Sequence, residues 1–325
     1  MSSIGNTWTW AWYWWGTLVA LNFIQVIICI YLFIRSKKNN WLSDVKYLRM
    51  MRTMGLIFVA VAFYRSIFVS SYLMQLAWFS SVLNSSLLIR CFAIFAELSF
   101  VGLIAKSLQR MNKDVPELIN TKSKFQTFLQ TKTPIILFVC IFIANIFATT
   151  ATITKISLLF ALEETFWGIG FVSIIPMLIG SMRKLSAYRN TAEWVNVRQF
   201  MVLTIVVAIF SIGYGLFEFG FNLPIVYWPS AIAQLRMPNP DPAFRFGFQA
   251  IRDAFLIVHE TKDLTAWGGM GFIIWHTGYF SLCVWIVLFL MTGPRLLHFP
   301  KASAEHWPAS PRDGQTPTGL FKTNK

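Results

Sequence analysis

The chain has 325 residues, of which 56% are hydrophobic and only 13% charged, with a net charge of +14. Soluble domains carry about 25% charged residues, so the deficit excludes an ordinary water-soluble globule and leaves lipid as the medium around most of this surface. The positive charge does not indicate a nucleic-acid partner, because the basic residues lie between long apolar runs rather than in one patch.

The N-terminal stretch carries Trp8, Trp10, Trp12, Trp14 and Trp15 and no basic segment ahead of them. It reads as an interfacial aromatic belt leading into a first span, not as a cleavable signal peptide. Apolar runs of about 18 residues or more are long enough to cross the hydrocarbon core as helices. Seven are predicted: Gly16–Ile34, Met54–Leu73, Leu83–Ala105, Pro134–Thr154, Phe166–Met182, Phe200–Trp228 and Gly269–Met291. The expected fold is therefore all-α, a polytopic transmembrane bundle over residues 1–297. Residues 298–325, rich in Pro, Ser and Thr, are expected to form a disordered cytosolic tail.

Charge placement gives the orientation. The first, third and fifth connections and the tail hold 21 of the 28 Lys and Arg residues. The opposite side holds Lys155, Arg236, Arg245, Arg252 and Lys262, and only Arg65 and Arg90 fall inside spans. The positive-inside rule then puts the N-terminus on the outer or lumenal side and the C-terminus in the cytosol. Four cysteines (Cys29, Cys91, Cys140, Cys283) all lie within apolar runs and read as small hydrophobes.

Two regions break the pattern. The sixth span contains Gly213, Gly215, Gly220 and Pro224, which predicts a kinked or partly unwound helix facing protein or a cavity. The lumenal loop 229–268 begins Pro-rich, then aligns Phe248, Ile251, Phe255 and Val258 on one helical face. That pattern predicts an amphipathic helix lying on the surface or capping a cavity, or else a partial eighth span. Its polar residues Arg252, Asp253, His259, Glu260 and Asp263 read as a solvated face. Asp253 and His259 gain interest only if the helix tucks over a cavity.

Ionisable groups at bilayer depth are costly and usually face the bundle interior. Arg65, Arg90, Glu97 and Glu218 qualify, joined by Asn145, Asn222 and His276. A rise of about 1.5 Å per residue puts Arg65 roughly 18 Å, Glu97 roughly 14 Å and Arg90 roughly 24 Å from the cytosolic ends of their spans. Arg65 and Glu97 are thus level enough to pair across adjacent helices, and Arg90 shares a helix face with Glu97. This group reads either as a buried ion pair holding helices in register or as a substrate site. Glu218, within Phe217-Glu218-Phe219-Gly220-Phe221-Asn222, is desolvated by its aromatic neighbours and is expected to hold a proton it can donate. Glu163 and Glu164 read as acidic residues at a helix N-terminus. His298 and His306 are cytosolic and no H-x-x-x-H spacing occurs, so neither a metal nor another cofactor is expected.

The aromatic load of 31 Phe, 14 Trp and 9 Tyr serves anchoring and packing first. Aromatic faces also stabilise cations. The absence of metal motifs, the acids within spans and this aromatic loading resemble the fungal integral-membrane terpene cyclases of meroterpenoid pathways, in architecture and composition across the spans. The resemblance implies metal-independent cyclisation of an epoxidised, prenylated aromatic substrate in the endoplasmic reticulum. Glu218 would be the acid, with Arg90, Glu97, His276, Asn222 and Arg65 as further site residues. The bilayer and a hydrophobic small molecule are the expected partners. A solute transporter would explain a broken sixth span but predicts an internal repeat, and none is visible. A seven-span receptor or sensor fits the topology, but no D-R-Y follows span three, and the seventh span lacks the lysine a retinal protein needs.

Overall fold

The computed structural model describes residues 3–35, 44–71, 75–120, 123–237, 244–267 and 269–296, with side chains from Trp10 onward. The expected tail at 298–325 lies outside these residues, as do Pro238, Pro240 and Pro242. Eight helices make up the bundle: α1 (Ser3–Arg35), α2 (Val45–Ile67), α3 (Ser86–Asp114), α4 (Lys124–Thr154), α5 (Ser157–Ser186), α6 (Trp194–Leu235), α7 (Gly247–Leu256) and α8 (Met270–Leu290). All but α7 are long and apolar enough to cross a membrane. The chain is a multi-pass membrane protein.

The side chains explain why lipid is the solvent. Phe23, Ile27, Ile30 and Ile34 of α1, Phe138 and Phe142 of α4 and Ile205, Ile209 and Leu216 of α6 are exposed. Apolar surface on that scale is rare on a soluble monomer. The core lies inside, around Phe58, Phe100, Phe171 and Phe200. Local signals set the ends: Ser85 accepts the Leu88 N–H to cap α3, and Ser123 accepts that of Gln126 to cap α4. Pro134 and Pro176 stay inside α4 and α5, as packed membrane helices allow.

Span five is longer than the sequence suggests and starts at Ser157, not Phe166. Glu163 and Glu164, read as acidic residues at a helix N-terminus, are internal to the helix. Span six is not unwound. Its backbone stays helical across the Gly- and Pro-bearing stretch by adopting a π-helix over Glu218–Tyr227, and a second π-helix covers Gly278–Leu282 in α8. Close approach of α5 and α6 depends on missing side chains. A Cβ on Gly168 would sit 2.8 Å from the Phe219 ring, and one on Gly215 would sit 2.8 Å from Val172.

At the outer end, β1 (Ser70–Ser71), β2 (Leu76–Ala77) and β3 (His259–Glu260) form a small sheet. β1 pairs antiparallel with β2, and β2 parallel with β3, which fastens the α7–α8 connection to the α2–α3 connection. Trp12, Trp14 and Trp15 pack around Trp78 there, so the N-terminal belt is partly an internal cluster and not only a lipid anchor. α7 caps the bundle, but not by its apolar stripe: Ala250 and Ala254 are buried, whereas Phe248, Ile251 and Phe255 point away from the protein. No eighth span occurs among the described residues. At the opposite end, Asp44 binds Arg110 at 3.0 Å and Arg295 at 3.2 Å, locking the last described segment to α2 and α3.

Candidate functional site

Several ionisable side chains within the spans form a belt of three groups. Arg90, wholly buried on α3, is its hub. Its guanidinium binds both carboxylate oxygens of Glu97 at 2.9 and 3.2 Å, Asn145 Oδ1 of α4 at 2.6 Å and Glu163 Oε1 of α5 at 3.4 Å. Asn145 donates its own amide N–H to the Ile141 carbonyl at 2.9 Å, which fixes the oxygen toward Arg90.

A second group adjoins it on α5 and α6. Glu218 is buried, and both its carboxyl oxygens accept from Asn222 Nδ2, at 3.1 and 3.0 Å. Tyr214 hydrogen-bonds Glu218 and reaches Glu164 Oε2 at 3.4 Å. Tyr227 also bonds Glu164. Positions 214, 218 and 222 share one helix face by their spacing of four, and Gly168 brings that face against α5. Tyr214 stacks into a ring cluster with Phe171 at 5.2 Å, Phe210 at 6.0 Å and Trp167 at 6.1 Å.

The third group lies on the opposite flank. Arg65, buried on α2, stands 4.9 Å over the Phe280 ring and 5.7 Å over Tyr279. His276 of α8 is surrounded by Trp14, Phe272 and Phe280, with ring centroids 4.4–5.8 Å away, and neither ring nitrogen has a hydrogen-bond partner among the described residues. The expected Arg65–Glu97 pair is not made. Glu97 is taken by Arg90 from its own helix, while the Phe280 and Tyr279 rings receive Arg65. Arg65 still acts electrostatically on both Glu163 and His276, so it bridges the two flanks.

The six expected site residues are therefore all buried or half-buried, but they form two flanks and not one hollow. Arg90, Glu97, Glu218 and Asn222 fall on one, Arg65 and His276 on the other. Glu163 and Glu164, read from sequence only as helix N-terminal acids, belong to the belt, as do Tyr214 and Tyr227, which the sequence does not single out. The i±4 spacing of Tyr214 and Asn222 about Glu218 was the available signal, as was an acidic pair within an apolar run beginning at Ser157. A pocket of about 300 Å³ opens at the outer end of α4 and α5, not beside the acids. Among the loop residues, Asp253 lines that pocket, His259 is exposed, and Glu260 pairs with the buried Lys262, whose ammonium hydrogen bond holds the Glu260 carboxyl below its usual range.

The fold and the belt together define a seven-span membrane protein with a charged, lipid-shielded interior. Comparison with family models, curated proteins and solved structures returns no match.

Proposed function

We propose that this protein is an intramembrane acid catalyst that cyclises an epoxidised, prenylated aromatic substrate without a metal. Glu218 protonates the epoxide oxygen, which becomes a hydroxyl as its C–O bond opens. The cation left on carbon is attacked by a neighbouring alkene, and a proton lost from carbon ends the sequence. That proton returns to Glu218 through Glu164 and the Tyr214 and Tyr227 hydroxyls, so the net reaction is an isomerisation that needs no oxidant.

One observation carries the reading. Four carboxyls (Glu97, Glu163, Glu164, Glu218) share the belt with two guanidiniums (Arg65, Arg90). Unpaired charge is expensive in so dry a medium, so charge balance calls for protons held among the acids, and a positioned carboxylic acid is a general acid. The ring cluster of Trp167, Phe171, Phe210 and Tyr214 adjoins Glu218 and supplies the faces that favour a cation. Lipid-dissolved substrates enter from the bilayer, which suits the endoplasmic reticulum.

The test is turnover in microsomes or detergent with an epoxidised farnesyl-aromatic substrate and no added metal, read as a product of unchanged mass and altered retention. Glu218→Gln is expected to lower the rate by about 10²-fold or more; full activity of that variant removes Glu218 as the acid. A transporter is the second reading, favoured by the two π-helical stretches in α6 and α8. Solute flux in liposomes without turnover would replace the enzyme by it.

A further inference from the structure

The proposed cyclisation leaves the second flank of the belt unused. Arg65 of α2 and His276 of α8 are only 3% and 1% exposed. Neither nitrogen of the His276 ring has a hydrogen-bond partner among the described residues, and no hydrogen bond or ion pair to Arg65 occurs among them either. Buried polar groups left in that condition are uncommon, and each asks for an explanation. The two converge on one ring: the Arg65 guanidinium stands 4.9 Å over Phe280, and the His276 ring centroid lies 4.4 Å from that of Phe280. The surroundings are fixed. Trp14 donates Nε1 to Thr277 Oγ1 at 3.0 Å, and Gln25 donates Nε2 to the Ser281 carbonyl at 3.2 Å, while its own Oε1 is buried without a partner among the described residues. Both bonds hold α1 against the π-helix of α8 that carries Tyr279 and Phe280, and such irregular turns are frequent at functional sites.

The donor and acceptor inventory selects the ligand. A guanidinium offers N–H donors and no acceptor, and a neutral imidazole offers one donor and one acceptor. The charge of Arg65 already acts on Glu163, so a neutral oxygen fits this place better than a further anion. Trp14, Phe272 and Phe280 surround the imidazole at 4.4–5.8 Å, a spacing at which aromatic rings pack against one another. We propose that Arg65 and His276 form a binding site for a lipid-soluble phenol. Its hydroxyl oxygen accepts from the Arg65 guanidinium, its O–H donates to the unprotonated nitrogen of His276, and its ring packs among those of Trp14, Phe272 and Phe280. Trp275 and Tyr279, stacked 5.6 Å apart beside the imidazole, are partly exposed, which gives a ligand from the bilayer a path that moves side chains and not helices. Binding here involves no proton transfer to an epoxide, so the site is independent of the reading of Glu218.

Calorimetric titration of the full chain tests it. Protein in phosphatidylcholine nanodiscs is titrated with para-pentylphenol and with pentylbenzene, neither of which carries an epoxide, with empty nanodiscs subtracted and affinities referred to the lipid phase. The phenol is expected to bind about tenfold tighter than the hydrocarbon, the worth of about one net hydrogen bond. His276→Leu and Arg65→Gln are each expected to bring the two affinities within about twofold of one another. Thermal unfolding checks that each variant is folded, and His276→Leu carries the test if Arg65→Gln is not. Equal affinities in the parent overturn the site, and that is the result expected if water alone serves Arg65 and His276. A preference for the phenol that persists in either folded variant overturns it as well.

Discussion

The two flanks of the polar belt solve the same problem in different ways. On the α3–α5 side the charges are directly engaged: Arg90 meets two carboxylates and an amide oxygen within 3.4 Å. On the α2–α8 side Arg65 rests on aromatic rings, and His276 has two nitrogens with no hydrogen-bond partner among the described residues. Burial is nearly complete in both. What differs is the partners, and partners decide whether a buried polar side chain ties helices together or loosens them.

That contrast yields four measurements, each made by unfolding in mixed micelles. The largest effect is expected for Arg90→Met. It strands Glu97 and Glu163 without their cation and should cost about 3–5 kcal/mol, the range for breaking a buried ion pair. Adding Glu97→Gln to that variant should restore part of the loss, and failure to do so would show that the network is not coupled. Next comes Gly168→Val, which drives a side chain into Phe219 and should cost about 1–3 kcal/mol through overpacking. It also pushes Glu218 away from α5, so any catalytic loss should exceed the loss of fold.

The opposite sign is expected across the bundle. His276→Leu removes two unpartnered polar atoms, and stability should stay level or rise by about 1 kcal/mol. A drop comparable to that of Arg90→Met would erase the distinction between the flanks. The last measurement concerns Lys155, which lies outside the spans. Burial, followed by the like charge of Arg245, lowers its ammonium from the ordinary 10.5 to about 8. The unfolded chain then binds more protons than the folded one between those values, so stability should rise as pH climbs from about 8 toward 10.5. Lys155→Met should flatten that slope.

The contrast was only half legible in the sequence. Span number follows from apolar runs, because length and hydropathy are local properties, and the seven helices confirm it. The Arg90–Glu97 pairing follows from a seven-residue spacing on one helix. What failed was everything set by three-dimensional packing. Glu163 reads as a helix N-terminal acid because an acidic pair suits a helix start, yet α5 begins about two turns earlier and delivers it to Arg90. Arg65 and Glu97 are level in depth, but depth says nothing about rotation about the helix axis, and that rotation turns Arg65 toward Phe280. The apolar stripe of α7 is exposed; the helix docks through two alanines, whose small side chains let its backbone approach α3 and α4.

The π-helical stretch of α6 has one more effect. Ten residues in that wider register hold the outer third of the helix at an angular setting that an α-helix of the same length would not reach. Removing one residue between Phe219 and Tyr227 would let the stretch relax to ordinary pitch and swing all that follows by about 100°. Tyr227 would leave Glu164, and Gln234 would release Ser157 and the roof of the outer pocket. The same ten residues thus act as a gear between the acids of the interior and the mouth of the molecule, and a single deletion there would strip both at once.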